Sequence, residues 1–234
     1  ATVLLAGCLV GSVDPTARAT ELNGVNDGED YFAYGDSIVA ALDSQGSGLA
    51  PKGADSFVMW HRNLNDPLAS ADHNQDGNGQ GCIWAKSHRA TYTPGTDHSQ
   101  VFVLAFGNND PRPIRGGLNA TASASCILEL YNATHVRRHH IVLANLMPID
   151  PACIGVDYDA SLTAQRERVQ ALEALAARYG VTTWNRYDAI DAAPGNGILD
   201  APDPSLVYDC IHPNRQGHIA LAQSLGAFLE ANPW

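Results

Sequence analysis

The sequence predicts an α/β fold, a three-layer α/β/α sandwich with a central parallel sheet. Continuous apolar runs of strand length stand at Tyr31–Tyr34, Val101–Phe106 and Ile141–Leu146, and strands apolar on both faces belong to sheets covered on both sides. Segments of helical period separate them, the clearest being Ser161–Tyr179. The runs close in turn-forming residues, Gly35-Asp36, Gly107-Asn108 and Met147-Pro148, which places polar groups at the strands' carboxyl ends. A chain of 234 residues suffices for one well-buried domain, and strands alternating with helices imply parallel crossovers.

Taken in order, residues 1–29 are read as lying outside the fold. Ala1–Cys8 looks like the tail of a secretion signal. Leu5-Ala6-Gly7-Cys8 resembles the bacterial lipobox, whose cysteine is lipidated; a fragment of an ordinary signal or a short apolar strand is the alternative. Val10–Glu29, rich in Gly, Asp, Asn and Thr, reads as a tether. The domain then runs over residues 30–234. Its first strand breaks at Gly35-Asp36-Ser37, and Ile38–Leu42 reads as the start of a helix. Asp55–Leu64 has helical spacing through Phe57, Met59, Trp60 and Leu64, with Asp55 near the cap, Trp60 in the core and His61 on the helix surface. Asp72-x-Asn74-x-Asp76-Gly77 matches the opening of an EF-hand calcium loop. Ile83 stands where the bidentate carboxylate belongs, so Asp72, Asn74 and Asp76 form an incomplete calcium set.

Trp84–Gln100 lacks a clear period and is read as a loop or short helix. After the strand at Val101–Phe106, Leu118–His139 is predicted to be a helix with Cys126, Ile127, Leu130 and Val136 on its apolar face. His135, His139 and His140 have no carboxylate at ligand spacing, and are read as a solvated helix end rather than a metal site. A strand at Ile141–Leu146 follows, then the Ser161–Tyr179 helix with Arg166, Glu167 and Arg168 outward and Gly180 as its stop. Val181–Asn185 is the predicted last strand, Asp188–Pro204 a solvated loop, and a final helix starts near Asn214.

Asp and Glu number 25 against 14 Lys and Arg, a formal charge of −11, which argues against nucleic acid and against a membrane surface bound through charge. The five cysteines are Cys8, Cys82, Cys126, Cys153 and Cys210. With Cys8 as an anchor, the other four fit an exported protein with two disulfides. Their connectivity is not readable from sequence. The working assignment is Cys153 with Cys210, both in loops at the carboxyl edge of the sheet, and Cys82 with Cys126; four buried free thiols are the alternative.

Three blocks remain: Gly35-Asp36-Ser37, Gly107-Asn108-Asn109-Asp110 and Asp209-Cys210-Ile211-His212-Pro213. A serine on a strand-to-helix turn exposes its hydroxyl beside free N–H groups, as an acyl-transfer nucleophile requires. Aspartate three residues before histidine reaches the imidazole within one turn. In this order the blocks resemble those of the SGNH hydrolases, also called the GDSL esterase/lipase family. The resemblance implies a serine esterase acting on small-molecule or carbohydrate esters, with short-chain acyl or acetyl groups favoured and no cofactor required. It assigns Ser37, Asp209 and His212 as catalytic residues. The oxyanion hole falls to Ser37, Asn109 and a glycine between the first two blocks, Gly81 first and Gly79 second. A long-chain lipase, or a calcium-organised binding protein on a degenerate scaffold, is the competing reading. No Gly-x-Ser-x-Gly elbow, phosphate loop or dinucleotide fingerprint occurs.

Overall fold

The computed structural model describes residues 30–41, 55–65, 71–73, 77, 79–92, 100–134, 139–153 and 161–233. The leader and lipobox-like segment, Asn74 and Asp76 lie outside them. Five parallel strands form one sheet: β1 (Asp30–Gly35), β2 (Ala71–His73), β3 (Gln100–Ala105), β4 (His139–Ala144) and β5 (Thr183–Trp184), in the order β2-β1-β3-β4-β5. The helices are α1 (Ser37–Ala40), α2 (Phe57–Asn65), α3 (Cys82–Tyr92), α4 (Ala120–Thr134), α5 (Leu162–Arg178) and α6 (Arg215–Ala231).

Alternation along the strands divides the core in two. Val101, Val103 and Ala105 of β3 join Tyr31, Ala33, Val142 and Trp184 in a cluster with Phe57 and Val58 of α2 and Leu221, Ala222 and Leu225 of α6. Phe102, Leu104, Ile141 and Leu143 point the other way, into Ala85 of α3, Ile127 and Leu130 of α4, and Val169 and Leu172 of α5. The sheet is therefore the middle of three layers. Each fully buried aliphatic side chain adds on the order of 1.5–3 kcal/mol.

Several boundaries differ from the sequence reading. The helix after Ser37 is a single turn, because Ala41 adopts a left-handed conformation, φ 47°. His139 and His140 open strand β4 and do not end the preceding helix, whose described part stops at Thr134. His61 is buried at 2 % exposure, edge-on to Tyr31 and within reach of the Ala222 carbonyl, since α2 packs against both the sheet and α6 on one face. Arg168 is buried, and Arg166 is half-buried where the 188–204 loop packs over α5 and it donates to the Leu199 carbonyl at 2.7 Å. The last strand is only Thr183–Trp184.

Candidate active site

The chain runs from β1 outward to β2 and then back across to β3, so the direction of winding reverses between β1 and β3. A crevice opens at the carboxyl ends of two such strands. Gly35 and Ala105, the last residues of β1 and β3, are in register, and the Asp36 N–H continues the ladder to the Ala105 carbonyl at 3.4 Å. Ser37 and Asn109 therefore leave neighbouring strands side by side. Gly35 permits this closeness, since a Cβ there would lie 2.6 Å from the Ala105 carbonyl and 2.2 Å from a Val39 methyl.

The third block arrives from the chain's far end. Pro213 bridges back to Val207, the Tyr208 N–H donates to the His212 carbonyl at 3.0 Å, and Asn214 caps α6 by accepting from the Gly217 N–H at 3.1 Å. This places His212 Nε2 2.8 Å from Ser37 Oγ and His212 Nδ1 2.7 Å from Asp209 Oδ2. The tautomer consistent with both contacts carries its hydrogen on Nδ1, leaving Nε2 as acceptor for the serine hydroxyl. Asp209 Oδ1 accepts the Ile211 and His212 N–H groups at 2.8 and 2.7 Å. Burial alone raises the Asp209 carboxyl, but the His212 hydrogen bond, the imidazole charge and these two N–H groups outweigh it and hold it below the usual aspartate value. A serine, a base and an oriented carboxylate in this relay can generate a nucleophile and return its proton to a leaving group.

Asn109 donates one amide hydrogen to the Gln80 carbonyl at 3.1 Å, which fastens the Gln80–Gly81 peptide to the loop after β3 and leaves its second amide hydrogen available. Among the described residues neither the Ser37 nor the Gly81 N–H has an acceptor. Gly81 is required by close approach: a Cβ would stand 2.6 Å from Asp110 Oδ1. Gly79 has a positive φ of 64° and faces Arg115.

Asp110, absent from the sequence-based site, is fully buried. It accepts the Cys82 N–H at 2.6 Å and the Ser123 hydroxyl at 2.5 Å, so it caps α3 and pins α4. Burial raises its carboxyl despite both donors. A disulfide joins Cys82 to Cys126 as expected. Cys210 is also disulfide-bonded; the Cys153 side chain lies outside the described residues, although the Asp150 N–H donates to the Cys210 carbonyl at 2.9 Å. Asp72 falls on strand β2, and among the described residues no group of three potential ligands is placed to hold a metal.

A serine–histidine–aspartate relay at the carboxyl edge of a three-layer parallel sandwich defines the SGNH type of hydrolase scaffold. The chain belongs to the GDSL-like lipase/acylhydrolase family, whose sequence profile matches residues 33–220. Solved structures agree on the fold. A lipase/acylhydrolase from Enterococcus faecalis is similar with a TM-score of 0.65 at 14 % identity, over 87 % of this chain and 96 % of that one. A G-D-S-L family lipolytic protein from Veillonella parvula gives 0.58 at 18 %, over 87 % and 99 %, and a carbohydrate acetylesterase family member from Sinorhizobium meliloti 0.60 at 16 %, over 87 % and 98 %. No curated protein matches the chain.

Proposed function

We propose that the protein is a serine esterase that hydrolyses short-chain acyl or acetyl esters, including those on carbohydrate, through an acyl-enzyme. The observation that carries this is the continuous relay from Ser37 Oγ through His212 to Asp209, at 2.8 and 2.7 Å. Ser37 attacks the ester carbonyl as His212 Nε2 takes its proton, and Asp209 holds the tautomer and stabilises the imidazolium. The Ser37 and Gly81 N–H groups and the Asn109 amide receive the charge on the carbonyl oxygen, each donor being worth roughly 10²–10³ in kcat. His212 then protonates the leaving alcohol, and a water repeats the sequence on the acyl-enzyme. The Cys82–Cys126 disulfide supports an exported protein working in an oxidising compartment.

The acetyl preference is supported by a sequence without a large apolar lid segment and by the acetylesterase among the structural neighbours. One observation favours longer acyl chains: Ile83, two residues after Gly81, and Ile114 are 50 % and 68 % exposed, apolar side chains available to an acyl tail. A p-nitrophenyl ester series from acetate to palmitate separates these readings. Turnover falling with chain length is expected, with a loss of at least about 10⁴-fold in Ser37→Ala and His212→Ala. Faster palmitate hydrolysis makes the protein a lipase. Absence of ester turnover together with calcium-dependent ligand binding that survives Ser37→Ala makes it a binding protein.

A further inference from the structure

Arg186 and Asp36 are both fully buried. Arg186 stands two residues after the end of β5; Asp36 precedes Ser37 and caps the turn after β1, its Oδ1 accepting the Ile38 N–H at 3.1 Å. Two of the three guanidinium nitrogens are engaged: Nε donates to the Asn145 carbonyl and Nη2 to Asn108 Oδ1 at 3.3 Å. The third, Nη1, is a buried donor without a partner, and Asp36 Oδ2 is a buried acceptor without one. Asn108 in turn clamps both backbone groups of Met147, donating to its carbonyl at 2.9 Å and accepting its N–H at 3.1 Å. Asn108 directly precedes Asn109, as Asp36 directly precedes Ser37.

Resting on the esterase reading above, we infer that Arg186 is a positioning residue that fixes the nucleophile turn and the Asn109 loop to one another by bridging Asp36 and Asn108 from beneath the site. The orphan Nη1 and Oδ2 are the complementary halves of this bridge, closed through one water because the two groups make no direct ion pair. Charge supports the pairing. Burial lowers the guanidinium to about 10 while Asp36 acts to raise it, so Arg186 stays cationic at neutral pH. Burial raises the Asp36 carboxyl, and Arg186 is the largest influence lowering it. A buried cation is costly beside an apolar residue of similar volume, and what its rigid fork adds is fixed geometry among three acceptors.

The test is made on the full chain with Arg186→Met, Arg186→Lys, Asp36→Asn and the Asp36→Asn/Arg186→Met double variant. Each is read for kcat and KM on p-nitrophenyl acetate, for the rate of Ser37 phosphonylation by a neutral phosphonate ester, and for thermal unfolding. Misalignment of nucleophile and oxyanion donors predicts a loss of about 10²-fold in kcat and in phosphonylation for Arg186→Met, with KM changed by less than about threefold. The double variant is expected to be no slower than Arg186→Met alone, and Arg186→Lys to restore part of the rate. If Arg186→Met does not fold, Arg186→Lys and Asp36→Asn carry the same reading. A folded Arg186 variant with wild-type kcat and phosphonylation rate, or losses that multiply in the double variant, overturns the inference while the esterase reading stands. A wild-type protein that neither turns over esters nor is phosphonylated at Ser37 overturns that reading, and this inference with it.

Discussion

At Asp209 one carboxylate has two tasks, and they separate experimentally. Oδ2 orients the His212 ring and Oδ1 folds the 209–212 turn by accepting two N–H groups. Asp209→Asn is expected to lower kcat by about 10⁴-fold, because an amide that donates to Nδ1 stabilises the wrong tautomer. The same substitution tests the shift in charge. The folded carboxyl lies below its unfolded value of about 3.9, so its stabilisation is complete above that pH and is lost as pH falls through the folded value. The difference in urea midpoint between wild type and Asp209→Asn therefore narrows below about pH 4; a difference constant from pH 7 to 3 contradicts the shift. That Ser37, His212 and Asp209 meet in one hydrogen-bonded chain was legible in the sequence because the blocks restrict residue type and fix spacing. Arg186 was not. Trp184-Asn185-Arg186-Tyr187 reads as any polar exit from a strand, and only the packed structure reveals a buried guanidinium bonded to the Asn145 carbonyl and Asn108.

Among the elements, α3 shows how a helix start is fitted to a site. Its first N–H, that of Cys82, is capped across the fold by Asp110, and the peptide just before it carries the proposed Gly81 donor. The Gly-rich segment Gly77–Gly81 suggests a backbone donor, Gly81 first and Gly79 second; what the structure adds is the 2.6 Å that a Cβ at Gly81 would have to Asp110 Oδ1. Gly81→Ala is therefore expected to displace the cap and lower kcat by roughly 10²-fold with little change in KM, measured on the preferred p-nitrophenyl ester. Asp110→Ala leaves the Cys82 N–H and the Ser123 hydroxyl without their acceptor and is expected to cost about 1–3 kcal/mol in urea unfolding. Unchanged stability in that variant excludes the capping role. The misplaced boundary between α4 and β4 has a related cause. His139 and His140 carry no local strand signal, and β4 is set by register with Gln100 and Val101 of β3, a non-local pairing that periodicity does not report.

At the scale of the whole molecule, two kinds of support converge on the crevice. Ser37 and Asn109 leave the central strands β1 and β3 and are fixed by the sheet itself, which is why the alternation of apolar runs sufficed to predict where they meet. Gly81 and the Asp209–His212 turn come from outside that pair of strands, and each contains or adjoins a disulfide-bonded cysteine, Cys82 and Cys210. The Cys82–Cys126 link joins α3 to α4 across a sequence separation of 44, and cross-links of this kind typically contribute about 2–4 kcal/mol. Reduction is therefore expected to loosen the oxyanion side and the histidine turn before the sheet gives way. In urea, the oxidised protein should lose ester hydrolysis and far-UV circular dichroism together. With excess dithiothreitol the dichroism midpoint falls and activity disappears at a still lower urea concentration, because local opening of the tethered segments precedes global unfolding. Coincident midpoints under reduction would instead mean that sheet packing alone positions Gly81 and His212, leaving the disulfides a role in global stability only.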